Sequence, residues 1–411
     1  MVQRMTRLAA LLPATAALLI SACAPTQRDA TPESAPAPLH ERILTLDTHL
    51  DTPVHFDRPG WSIMDRHDFA SDLSHVDVPR MREGGLDGGF FVTFTNQGPL
   101  TDAGFADAWS FANRRLAAIH RVAGEHPDAI AIATTVAEAR AIARSGKRIM
   151  LLSVENSYPL GEDLSRLSQW YAQGVRMAGP VHNGGNQLGD SASGGTARWG
   201  GLSPLGRQWV AEMNRLGMIV DASHSSDTAL RQMLSLSRTP VILSHSGFKA
   251  IYDHPRNISD DLAREVAAHG GVIHINSVFL SRFNNSAARA PLYDRFEHMT
   301  EMTPEQQREL AAQWAALDQH ERINEGDFAL YMRALLHCLE VVGADHCGIG
   351  ADWDGGGGLA GMEDITALPR ITQALKAAGY SDTDIAKLWG GNVLRLLDAA
   401  EREARREASA R

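Results

Sequence analysis

Residues 148–156 read Arg-Ile-Met-Leu-Leu-Ser-Val-Glu-Asn. A nearly unbroken apolar run of this length, without polar alternation, is a strand covered on both faces, as in a parallel sheet. It runs directly into a carboxylate, Glu155, and then Asn156. Comparable apolar runs stand at 43–48, 88–95, 130–134, 175–181, 218–223, 240–244, 271–277 and 347–351. Helix-period segments lie between them at 105–125, 164–173, 204–216, 227–236 and 260–269. The β-α-β-α rhythm predicts an α/β fold with a parallel sheet. Eight or nine strands over about 350 residues favour closure into a (β/α)8 TIM-like barrel. An open doubly wound sheet is the alternative, weakened because no G-x-G-x-x-G follows the first strand and no phosphate loop is present.

Two segments break the rhythm. Residues 279–326 are polar, contain a helix start at Met302-Thr303-Pro304-Glu305, and are expected to form a helical insertion over the barrel mouth before a helix at 327–342. Residues 381–408 are expected as a pair of C-terminal helices packed outside. Composition is consistent with one large globular domain: 44% hydrophobic and 21% charged residues, with 39 Lys plus Arg against 49 Asp plus Glu and a net charge of −10. Lacking a basic excess, the chain has no electrostatic footprint for nucleic acid. Only Lys147, Lys249, Lys376 and Lys387 are lysines.

The N-terminus reads as an address. Arg4 and Arg7 precede an apolar run at 8–20, interrupted by Pro13 and too short to span a bilayer. It ends Ile20-Ser21-Ala22-Cys23, which resembles a bacterial lipoprotein signal. The resemblance implies a signal peptide at 1–22, lipidation of Cys23, a flexible tether at 23–40 and a barrel domain at 41–411. The expected location is the cell envelope, on the periplasmic face or cell surface, with the membrane reached only through the lipid. Ordinary signal cleavage with an incidental cysteine fits the same run. Cys338 and Cys347 are expected as two buried free thiols, pairing being the alternative that an oxidising compartment allows.

In a barrel of this type the carboxyl ends of the strands face the active site. Here they collect charge: Asp47-Thr48-His49-Leu50-Asp51-Thr52-Pro53, Glu155-Asn156, His182-Asn183, Asp221-Ala222-Ser223-His224, Ser244-His245-Ser246 and Gly350-Ala351-Asp352-Trp353-Asp354-Gly355. His49 and Asp51, two residues apart, share a strand face. Singly, Glu155 reads equally as a helix-start charge, and His224 and His245 as hydrogen-bonded structure. Together, a His-x-Asp pair, two further histidines and a carboxylate able to bridge are what a dinuclear hydrolytic site requires.

The order of these motifs, with Ser153-Val154-Glu155-Asn156 and Arg256-Asn257, resembles the membrane dipeptidase (renal dipeptidase) family, peptidase family M19 of the amidohydrolase superfamily. The resemblance covers nearly the whole chain after residue 43. It implies a metallo-dipeptidase with two zinc ions, His49 and Asp51 binding the first, His224 and His245 the second, and Glu155 bridging them. A metal-bridging hydroxide would attack the peptide carbonyl. His182 would face that carbonyl, Arg256 the substrate's terminal carboxylate, and Asp352 the attacking water. Asp354, further along the same strand face, competes with Asp352 for that role; its ordinary reading is to cap the 355–358 loop. The resemblance also implies a possible homodimer. His55, His67, His75, His254, His274 and His346 match no ligand and read as ordinary core or surface histidines. Residues 178–183 match the family only in part, and the 279–326 insertion is longer than expected.

Two other functions fit parts of the pattern. A phosphotriesterase-like or lactonase-like amidohydrolase would bridge its metals through a carboxylated lysine at a strand end, but Lys147 precedes its strand and Glu155 takes the position. A catalytically inactive metal-binding lipoprotein would keep the ligands without the turnover.

Overall fold

The computed structural model describes residues 38–410; the signal segment, Cys23 and nearly all of the 23–40 tether lie outside the described residues. Parallel strands form at each expected place: β1 (Leu46–Leu50), β2 (Gly88–Phe94), β3 (Ile130–Ile132), β4 (Arg148–Glu155), β5 (Val175–Ala178), β6 (Ile219–Val220), β7 (Ile242–Ser246), β8 (Val272–Ile275) and β9 (Cys347–Ile349). Hydrogen bonding runs through β1-β2-β4-β5-β6 and through β7-β8-β9. Parallel bridges close both seams: Asp221 with Ile242 joins the end of β6 to β7, and Leu50 with Trp353 joins β1 to the chain beyond β9. The result is a closed barrel with helices outside, not an open sheet. β3 is additional to the ring. It pairs with residues 148–150 of β4, whose second half is taken by β5.

Alternation along β4 explains how the barrel is filled. Ile149 and Leu151 join Phe90, Met177, Ile219, Ile242 and Val272 in one apolar cluster with Leu394 and Leu397 of the C-terminal helix. That layer plugs the amino end. The same alternation carries Glu155 to the opposite mouth. β6 is short because the chain turns at Asp221, whose carboxylate accepts the backbone N–H groups of Ser223 and Ser244.

The insertion contains helices Ala290–Glu297 and Pro304–Asp318, the second opened by a Thr303–Gln306 capping box. The C-terminal segment differs from expectation. It is one continuous run: helix Asp382–Ala386, a π-turn at Lys387–Gly391, and helix Asn392–Ser409. Gly390 permits this, since a Cβ there would stand 2.8 Å from the Leu44 carbonyl oxygen.

The free-thiol expectation is also corrected: Cys338 and Cys347 form a disulfide, with Cα atoms 6.1 Å apart. Cys338 lies in helix Phe328–Val342, and Cys347 opens β9 on the face that meets that helix. Both side chains are fully buried. The bond closes a short loop, and chain entropy gives it about 2–3 kcal/mol of stability. Urea unfolding of the intact protein should therefore fall by about that amount on reduction, or in Cys338→Ala; unchanged midpoints would contradict the pairing.

His274 reads as a core histidine and is one. It is fully buried on β8, with one ring nitrogen, Nδ1, at 3.2 Å from the Ile349 carbonyl. Burial lowers its pKa to about 4. The unfolded chain therefore binds a proton between about pH 6.5 and pH 4 that the folded one refuses, so stability falls as pH falls through that window, by about 3 kcal/mol in all. In urea titrations, His274→Leu should show a shallower pH slope than wild type across this window. Equal slopes would count against a neutral buried imidazole.

Candidate metal centre

The charged strand ends converge on Glu155. Its Oε2 faces His49 Nε2 at 3.5 Å, and His49 Nε2 lies 3.2 Å from Asp51 Oδ2. Its Oε1 faces His224 Nε2 at 2.8 Å and His245 Nε2 at 3.3 Å. His182 Nε2 stands 3.9 Å from the same oxygen, and its ring meets Phe94 edge-on. Asp352 joins His49 and Asp51 in a triad whose ligand atoms all lie within 4.8 Å of one another. One carboxylate thus presents each oxygen to a different half of the ligand set.

The backbone is bent to achieve this. Asn156, His224, Asp352 and Asp354 all take left-handed φ values, between 65° and 66°. Each costs about 1–2 kcal/mol for a non-glycine residue. Gly355 is required for a different reason: a Cβ would stand 2.2 Å from Asp51 Oδ2 and 2.4 Å from Asp352 Oδ1.

Hydrogen bonds set the imidazole tautomers. His245 Nδ1 pairs with Ser244 Oγ at 2.9 Å, and Ser244 Oγ donates to Asp221 Oδ2 at 2.5 Å. The Nδ1 proton of His245 is therefore the donor in that pair, which leaves Nε2 with a lone pair. His224 Nδ1 donates to Asn183 Oδ1 at 3.2 Å, with the same consequence. The two Nε2 atoms then face each other at 2.9 Å, beside a carboxylate oxygen. Buried lone pairs so arranged repel unless a cation lies among them. Neither ring nitrogen of His49, nor Asp51 Oδ1, makes a hydrogen bond.

Electrostatics point the same way. Burial alone would raise Glu155, but His49, His182 and His224 outweigh it and hold it well below the usual carboxylate range. Burial, with Arg256 and His182 adding, pushes His224 well below the usual imidazole range; burial and His49 do the same to His245. His49 is opposite: burial lowers it, and Asp51 and Glu155 more than reverse that. Positive charge is favoured at His49, beside Asp51 and Glu155, while His224 and His245 stay neutral and offer lone pairs. The donor set fits divalent metal.

Arg256 is nearly buried, donates from Nη2 to the His245 carbonyl at 3.1 Å, and leaves Nε unpartnered. Burial lowers its pKa to about 10 against the pull of Glu155, Asp352 and Asp221. Burial pushes Asp352 up to about 7, opposed by His49 and aided by Asp51 and Glu155.

Asp354 neither joins this cluster nor merely caps the 355–358 loop. Its carboxylate accepts from Thr52 Oγ1 at 2.7 Å, His75 N–H at 2.6 Å and His55 Nε2 at 3.3 Å. Asp47 and Asp221, inside the quoted motifs but without an expected role, act as anchors. Asp47 accepts the backbone N–H groups of His49 and Ala351, pinning β1 to the chain beyond β9. Among the serines, Ser244 and Ser223 hold His245, while Ser246 Oγ donates to the Arg256 carbonyl. Only the Asp-x-His and Asp-x-Ser spacing hinted at these anchors.

The sequence model described as membrane dipeptidase (peptidase family M19) matches residues 34–411. The dipeptidase aclJ of Aspergillus oryzae is 30% identical over 80% of this chain and 71% of its own length. The crystal structure of the probable dipeptidase PvdM from Pseudomonas aeruginosa superposes with a TM-score of 0.76 at 30% identity, covering 89% of this chain and 97% of that one. A metallo peptidase from Rhodobacter sphaeroides, solved with a phosphinate mimic of the dipeptide L-Ala-D-Ala, shares the fold at a TM-score of 0.68 and 24% identity, covering 87% and 99%. The chain belongs to the membrane dipeptidase family, peptidase family M19, and is a metallo-dipeptidase.

Proposed function

We propose that the protein cleaves dipeptides using two zinc ions, one held by His49 and Asp51, the other by His224 and His245, with Glu155 between them. The observation that carries this reading is the Glu155 carboxylate, which turns one oxygen to His49 and the other to His224 and His245. When bound, such a pair polarises a carbonyl and lowers the pKa of water to near neutrality.

The chain's own residues do the rest. Arg256 offers a planar fork to the substrate's free carboxylate, with Nε free to take part. That anchor restricts cleavage to a bond one residue from the C-terminus. His182 is held neutral by burial and still donates one N–H toward charge developing on the carbonyl oxygen. Asp352 takes the proton from the attacking water and returns it to the departing amine; burial keeps its carboxyl near neutrality, where both transfers are accessible. The lysine-bridged alternative finds no residue: Lys249 pairs with Asp227, Lys376 with Asp382 and Lys387 with Asp345, and Lys147 lies at the amino end of β4, away from Glu155. We further propose envelope location with a lipid at Cys23, supported by the signal pattern and by the Cys338–Cys347 disulfide, which persists in oxidising compartments.

Incubated with L,L and L,D dipeptides, zinc-loaded protein should release free amino acids, chelation should abolish turnover, and zinc should restore it. No turnover with any dipeptide would sink the reading. His224→Ala should lose bound zinc together with at least a thousandfold in rate. Asp352→Asn should keep both ions and lose about 10²–10⁴-fold in kcat; loss of zinc instead would show Asp352 to be a ligand rather than a proton carrier.

A further inference from the structure

Between Arg256 and the insertion runs a band of aromatic side chains. The Arg256 guanidinium lies 5.5 Å from the ring centroid of Phe279, which stacks on His254 at 4.5 Å with planes 9° apart. Phe279 meets Phe283 at 6.3 Å, and Phe283 meets Tyr293 at 6.2 Å. Tyr293 belongs to the inserted helix Ala290–Glu297, and its hydroxyl would stand 3.9 Å from a Cβ placed on Gly356, in the loop that follows Asp352. Phe296 and the buried Trp314 back Tyr293, each at 6.1 Å. Phe279, Phe283 and Tyr293 themselves are only partly buried, so the band retains some exposed surface. It begins at the guanidinium and ends beside the metal-site carboxylates.

Chemistry says what reaches such a wall. The α-carboxylate of a dipeptide and the side chain of its C-terminal residue share one Cα. A carboxylate on the Arg256 fork therefore brings that side chain within a few ångströms of Phe279. Ring faces carry negative potential and welcome apolar or aromatic groups, whereas an acidic side chain meets both repulsion and desolvation. A glycine leaves the wall wet and gains nothing from it.

We propose that Phe279, Phe283 and Tyr293 form the subsite for the side chain of the substrate's C-terminal residue, and that the enzyme prefers dipeptides ending in a large apolar or aromatic residue. This rests on the reading of Arg256 as the carboxylate anchor. The band is contributed by the insertion and its approach, so preference is set by the segment that departs most from the barrel rhythm, and the metal ligands take no part in it.

The test compares kcat/KM for Ala-Phe, Ala-Leu, Ala-Gly and Ala-Asp with the zinc-loaded full chain. Wild type should favour Ala-Phe over Ala-Gly by at least about tenfold, chiefly through KM, with Ala-Asp poorest. Phe279→Ala should cut the Phe-over-Gly ratio by about tenfold, and Phe279→Leu should retain most of it, with melting temperature and zinc content confirming that each variant folds. Equal kcat/KM across the four substrates in wild type would overturn the proposal without reference to any variant, as would a ratio that survives intact in folded Phe279→Ala. Ala-Phe amide separates the two levels. If the amide is hydrolysed as well as the free acid, the Arg256 reading fails and the subsite falls with it. If the acid alone is hydrolysed but the four substrates rank equally, only the subsite fails.

Discussion

A carboxylate surrounded by buried imidazoles is the constraint on which the rest of this molecule depends. Glu155 Oε1 lies 2.8 Å from His224 Nε2 and 3.3 Å from His245 Nε2, and these two nitrogens are themselves 2.9 Å apart. Tautomers fixed by Asn183 and Ser244 leave lone pairs on both. Held together without positive charge, such a group is costly in a low-dielectric interior. The barrel spends left-handed backbone at His224 and Asp352, and glycine at 355, to bring the acceptors closer still. Bound cations offset that cost, and a site built this way is poised for them.

The scaffold divides its tasks along the barrel axis. The amino end is sealed by apolar side chains and the C-terminal helix, and the Cys338–Cys347 bond ties β9 to its covering helix. At the carboxyl end the strands stop carrying apolar residues and begin carrying the histidines and carboxylates that could hold metal. Asp47 and Asp221 mark the transition: each spends its carboxylate on backbone N–H groups across two strands, fixing where the neighbouring histidine emerges. Asp354 holds the turn after β1 through the side chains of Thr52 and His55. The long excursion then adds an aromatic surface without disturbing any of these anchors.

Much of this was legible in the residues. The apolar run ending at Glu155 announces a buried parallel strand, and period-two alternation alone puts Glu155 inward above Ile149 and Leu151. The grouping of His49, Asp51, His224 and His245 followed from the strand ends together with the family resemblance. What stayed hidden depends on relations between distant segments. The disulfide requires the phase of a helix to match the outward face of a strand, and apolar surroundings alone make both cysteines look like small core residues. Residues 381–408 read as a pair of helices, yet a π-turn carries one run through, with Gly390 passing close to Leu44. Asp47 and Asp221 look like further candidate ligands until their backbone partners are known.

Zinc titration of the metal-stripped protein by calorimetry, in wild type and in Glu155→Gln, tests the shared carboxylate most directly. Two ions bridged by one side chain should both be weakened when that side chain loses its charge. Wild type should bind two equivalents, and the variant should show a marked loss of affinity at both sites. A variant that binds one equivalent with wild-type affinity, or a wild type that saturates at a single ion, would contradict it.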